Sequence, residues 1–134
     1  MASKGQFTGM TGVYLVAAEL SKKGFIACVT SRNAIAADLL VTDINGLHSF
    51  AVQVKTNAKT FNFWLMNAKT KELISKSLIY VLVNLRKNIV EYFLVPSSVI
   101  AEKLCVGKRP DSTWYFVDKK DIEEYRDKWS IFDG

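Results

Sequence analysis

Asn45-Gly46 is the strongest turn signal in this sequence, and it separates two runs of strand-forming residues, 38–44 and 47–56. Both residues tolerate the positive φ that a tight hairpin demands, so the pair is expected to form a two-residue loop. That fixes the register: positions whose numbers sum to 91 face each other across the strands. Asp38 then lies opposite Gln53, and Lys55, two positions on, shares their face at about 7 Å. The other face carries Leu39, Val41, Phe50, Val52 and Val54, as a side turned toward a core should. An acid, an amide and a lysine therefore converge on the polar side of a hairpin whose reverse is apolar.

The rest of the chain supplies layers for such a hairpin to pack against. Val13, Tyr14, Ala17 and Leu20 recur at helical spacing, and Gly24 stands where a left-handed cap is wanted, which predicts a helix over 11–23. A short strand over 25–29 follows. Beyond the hairpin, 78–85 and 89–95 are apolar, β-branched runs around the polar turn Arg86-Lys87-Asn88, a second hairpin. Pro96-Ser97-Ser98 opens a helix to about Leu104, 114–117 reads as a strand, and the charged segment 119–128 as a closing helix.

With 134 residues, 49% hydrophobic and 23% charged, one domain over 1–134 with one core is expected. The opening MASKGQFTGM has no apolar stretch of signal-peptide length, and no later run nears the roughly 20 apolar residues that span a bilayer, so a cytoplasmic protein with no membrane partner is predicted. Cys28 and Cys105 read as reduced, buried thiols. Residues 1–110 hold 14 Lys or Arg against 6 Asp or Glu, a net +8, whereas 111–134 hold 4 against 7, a net −3. A basic body draws phosphate backbones through its long-range field, which makes nucleic acid the partner class to test.

The convergent trio suits phosphodiester chemistry. Asp38 offers a hard oxygen to Mg²⁺ or Mn²⁺, the Gln53 carbonyl a second, and the Val54 backbone carbonyl a third. Lys55 would orient or deprotonate water, or stabilise charge growing on the phosphate. The bland alternative is a polar patch in which Lys55 pairs with Asp38. Other candidates are weaker. His48, the only histidine, falls beside the turn opposite Asp43, where a surface pairing is expected. Gly9-Met10-Thr11-Gly12 spells a phosphate-clamping GxxG, although helix entry explains it equally. Phe61, Phe63 and Trp64 could stack bases or bury a homodimer interface, with core packing the commonest fate of such residues.

The order helix, A-A-D-L-L-V at 36–41, V-Q-V-K-T at 52–56 resembles the PD-(D/E)XK nuclease superfamily in the variant where Gln replaces the second acid. The phrases G-V-Y-L-V-A-A-E-L-S-K-K-G-F at 12–25, E-Y-F-L-V-P-S at 91–97 and K-D-I-E-E-Y-R-D-K-W at 120–129 are similar to small bacterial proteins of that superfamily. The resemblance implies a restriction-endonuclease-like α/β core, a mixed central sheet flanked by helices in the order α-β-β-β-(α)-β-β-α-β-α. It also implies a divalent-metal-dependent endonuclease acting on DNA, with Asp38 as principal ligand, Gln53 and Val54 as auxiliary ligands and Lys55 as the base. A degenerate relative that only binds nucleic acid or a protein is the alternative. Similar proteins carry a helix glutamate after the glycine matched by Gly12. Here that position is Val13, and Glu19, paired four residues before Lys23, is the remaining candidate for the helix ligand. Val13→Glu is accordingly expected to return a carboxylate beside Asp38.

Overall fold

The computed structural model describes residues 3–31 and 37–133. Ala36 of the first motif lies outside the described residues. Helix α1 spans Lys4–Lys22, starting well before the expected Thr11. Ser3 is the reason: its hydroxyl accepts from the Gln6 N–H at 3.2 Å while Gln6 Oε1 accepts from the Ser3 N–H at 2.9 Å, so two otherwise orphaned donors are satisfied reciprocally. The helix ends as its sequence predicts. Gly24 takes a φ of +90°, and the N–H groups of Gly24 and Phe25 return to the carbonyls of Ser21 and Leu20.

Strands β1 (Ile26–Val29), β2 (Leu39–Thr42) and β3 (Ser49–Asn57) form an antiparallel meander. The chain then leaves through β4 (Phe63–Met66) and a 3-10 turn at Ala68–Lys71, returning as β5 (Leu78–Leu85) parallel to β3. β6 (Val90–Pro96) pairs antiparallel with β5 and completes a five-stranded sheet in the order β1-β2-β3-β5-β6. After α2 (Ser97–Lys103), β7 (Cys105–Arg109) and β8 (Ser112–Asp118) join β4 in a second sheet, ordered β4-β8-β7.

The five-stranded sheet is covered on both faces. Val13, Val16 and Leu20 of α1 pack on Val41, Val52, Val81 and Val83. On the reverse, Trp64 of β4, Val117 of β8 and Ile100 of α2 pack on Tyr80, Leu82 and Phe93. This double covering is why β5 reads as an unbroken apolar run. The mixed, layered architecture agrees with the expected fold class, but three details of the element order do not. β4 and β7 were not expected as strands. The segment 119–128 is no helix: it forms 3-10 turns at Lys119–Asp121 and Glu123–Tyr125, and Asp127 stands at φ +52°. Nor are the thiols both buried, since Cys28 is exposed on β1 and Cys105 half-buried.

Candidate functional site

The hairpin between β2 and β3 has the expected register and a different turn. Leu39 pairs with Val52, Val41 with Phe50 and Thr42 with Ser49, each pair summing to 91. The loop is longer than two residues: the Asp43 N–H donates to the His48 carbonyl at 3.2 Å, and Asp43 Oδ1 accepts from the Leu47 N–H at 2.7 Å. Burial raises the Asp43 carboxyl pKa, yet the N–H groups of Leu47 and His48 outweigh it and hold the group below its usual range. Because 43 and 48 also sum to 91, lengthening the loop symmetrically left the register intact.

Asp38 sits one residue before β2 begins, where it meets β3 through both main chain and side chain. Its N–H donates to the Val52 carbonyl at 2.8 Å, and its Oδ2 accepts from the Val54 N–H at 2.8 Å. Peptides alternate along a strand, so Val52 and Val54 both turn toward β2, and the Val54 carbonyl faces the same side as its N–H. Side chains alternate as well: Val52 and Val54 are buried under α1, which sends Gln53 and Lys55 to the opposite face, over Tyr80 and Leu82 of β5. Asp38, Gln53, Val54 and Lys55 together line a cavity of about 230 Å³. Among the described residues no ion pair joins Lys55 to Asp38, so the neutralised polar patch is not formed.

The cavity wall also includes residues that were not anticipated, among them Lys69 and Thr70 from the 3-10 turn and Tyr80 from β5. Burial pushes the Tyr80 phenol pKa up, with a hydrogen bond from Thr70 opposing the shift. Lys69 brings a second ammonium to the cavity. Its position follows from the β3-to-β5 crossover, for which no local sequence signal exists.

The other candidates fall elsewhere. Glu19 pairs with Lys22 at 3.4 Å and Lys23 at 3.2 Å and is not on the cavity wall. Val13 is 5% exposed in the apolar cluster between α1 and the sheet and is not on the cavity wall. Gly9 and Gly12 lie inside α1 and form no clamp loop. A Cβ on Gly12 would stand 1.9 Å from Thr56 Oγ1, so this glycine lets α1 approach β3 closely. Trp64 is a core residue whose indole donates to the Val83 carbonyl at 3.1 Å, whereas Phe61 is exposed and Phe63 half-buried. Among the described residues no three His, Cys, Asp or Glu side chains converge.

The three-stranded meander, the parallel return at β5 and helices on a mixed sheet make this a restriction-endonuclease-like α/β fold. Solved structures share it, two nucleases among them. A bacterial homing endonuclease aligns with a TM-score of 0.63 at 14% identity, over 98% of this chain and 91% of its own. The Holliday junction resolvase Hjc of Archaeoglobus fulgidus aligns with a TM-score of 0.56 at 15% identity, over 87% of this chain and 93% of its own. No protein-family model matches this chain, and no curated protein does. No helix among the described residues is long and apolar enough to cross a membrane.

Proposed function

We propose that this chain is a divalent-metal-dependent endonuclease acting on DNA, of the PD-(D/E)XK kind with glutamine in place of the second acid. The observation that carries the reading is the Asp38 carboxylate, oriented by the Val54 N–H at 2.8 Å in one cavity with Gln53 and with Lys55, which makes no ion pair among the described residues. Oδ2 is held by the backbone, and Oδ1 meets no protein donor among the described residues. Asp38, the Gln53 side-chain carbonyl and the Val54 carbonyl form a set of hard oxygens that fits Mg²⁺ or Mn²⁺, with one charge where tighter sites have two. Bound there, the ion would polarise a phosphodiester oxygen and acidify a water. Lys55 and Lys69 would hold the phosphate and stabilise its added negative charge. The nucleases of similar fold support DNA as the substrate class.

A second reading is favoured by one fact: Asp38 is the lone carboxylate on the described cavity wall. On that reading the cavity binds nucleic acid without cleaving it. Nicking of supercoiled plasmid in Mg²⁺ or Mn²⁺ separates the two. The wild type should nick and be silenced by chelation, Asp38→Ala should be inactive, and Lys55→Met should lose about 10²-fold or more. Nicking that survives Asp38→Ala would sink the proposed centre.

A further inference from the structure

The second sheet turns an aromatic face away from both buried cores. On β8, Val117 points inward, so alternation sends Phe116 and Trp114 outward. Pairing with β4 sets Leu65 opposite Phe116 and adds Phe63 to the same face; pairing with β7 sets Gly107 opposite Trp114 and adds Arg109. The rings are continuous. Centroids lie 5.1 Å apart for Phe61 and Phe63, 6.1 Å for Phe63 and Trp114, and 4.6 Å for Trp114 and Phe116. Gly107 makes room for the indole, since a Cβ there would stand 2.2 Å from it. Phe61 is 47% exposed and Leu65 60%.

The rim of this face is basic. Lys59 Nζ lies 5.8 Å from the Phe61 ring centroid. The Arg86 guanidinium donates to the neutral carbonyls of Lys59 and Phe61, the latter at 2.6 Å, and makes no ion pair among the described residues. Arg109 stands on the outer face itself. Of the nearby acids, Asp118 shares the outer face opposite Phe63, with one carboxylate oxygen accepting from the Lys120 N–H at 3.1 Å, and Asp111 sits in the turn between β7 and β8.

We propose that this face binds the unpaired bases of a single-stranded nucleic acid, which stack on Phe61, Phe63 and Trp114 while Lys59, Arg86 and Arg109 contact phosphates. Rings flanked by cations match a polyanion that carries flat apolar groups, and they match it only when the bases are unstacked, since a duplex presents edges and phosphates. A second copy of this chain is a poorer partner. A two-fold contact is self-complementary, and this face offers its own cations few acids to meet. None of these residues lines the Asp38 cavity, so the proposal does not rest on the metal centre.

Fluorescence anisotropy with a short labelled oligothymidine at low salt, in chelator, tests it. The wild type should bind, Phe61→Leu and Trp114→Leu should each weaken binding about tenfold, and Trp114→Phe should restore most of it. Phe61→Leu changes an exposed ring and guards against a folding artefact at Trp114. A duplex of the same length should be indifferent to all three substitutions. The proposal is overturned if the wild type does not bind oligothymidine, if both leucine variants bind as the wild type does, or if duplex binding falls in step with single-strand binding. A wild-type dimer in sedimentation that Phe61→Leu dissociates would also overturn it, because a second copy would then cover the face.

Discussion

Asp38 has two oxygens with different fates, and this separates its structural role from its proposed chemical one. Oδ2 caps the Val54 N–H where β2 has not yet begun, and an amide oxygen could do the same. Asp38→Asn should therefore fold as stably as the wild type to within about 1 kcal/mol, whereas Asp38→Ala leaves a backbone donor without an acceptor and should cost about 1–3 kcal/mol. Urea denaturation measures both costs. Calorimetry should show Mn²⁺ binding lost in both variants, and retention by Asp38→Asn would mean that the carboxylate is not a ligand. Val13→Glu should behave quite differently from its expected role. The side chain enters the apolar layer among Val16, Val52 and Val54, and an uncompensated charge there should cost about 3–5 kcal/mol with no gain in Mn²⁺ affinity. A folded Val13→Glu protein that bound Mn²⁺ more tightly would place position 13 on the cavity after all.

The segment after β8 shows how tertiary contacts override a local pattern. Residues 119–128 carry charges of both signs at helix-like spacing, yet the chain lies along the edge of β6, where the Asp127 N–H donates to the Tyr92 carbonyl at 2.9 Å and Arg126 bridges Phe93. That edge would otherwise present unpaired strand groups. Glu91 fastens the segment: its carboxylate takes Arg126 at 2.7 Å and Lys119 at 3.6 Å, and it accepts from the buried Asn84 amide at 3.1 Å. Burial raises the Glu91 pKa, but Arg126, Asn84 and Lys119 together hold it below the ordinary glutamate range. A depressed carboxylate binds its proton more readily in the unfolded chain. The stability it confers is thus present above the unfolded value and lost as pH falls through the folded one. Thermal melts taken between neutral and strongly acidic pH should show that decline, with Glu91→Gln less stable at neutral pH and less sensitive to acid. A Glu91→Gln curve parallel to the wild type would remove the linkage. β7 was illegible for a related reason. Cys105-Val-Gly-Lys-Arg reads as loop, and its glycine makes sense only beneath an indole from another strand.

Across the molecule, legibility followed sequence distance. The helix end at Gly24, both antiparallel hairpins and the β2–β3 register over Leu39–Thr42 were readable because each depends on residues close in the chain, and a symmetric loop of any even length keeps the same sum. Lys69 and Tyr80 were not, because they reach the cavity through a parallel crossover whose geometry no local pattern encodes. Net charge was legible too and makes a prediction of its own. If the +8 body contacts several phosphates, nucleic-acid affinity should fall steeply between low and physiological salt, and Lys55→Ala should shallow the log–log slope by only about 0.9. Anisotropy titrations at several salt concentrations check both values, and a flat dependence would argue against phosphate contacts.

The crossover also sets an order in time. Asp38, Gln53 and Lys55 all precede residue 56, but the cavity wall at Asn67–Thr70 continues from β4, whose strand partner is β8, with Phe63 paired to Asp118. A chain made from its N-terminus therefore carries the three residues long before it can enclose them. Until residue 118 has emerged, β4 lacks its ladder and the cavity lacks a secured side. A nascent chain could not display the finished site, and the hydrolytic centre proposed here would be withheld until synthesis had passed β8.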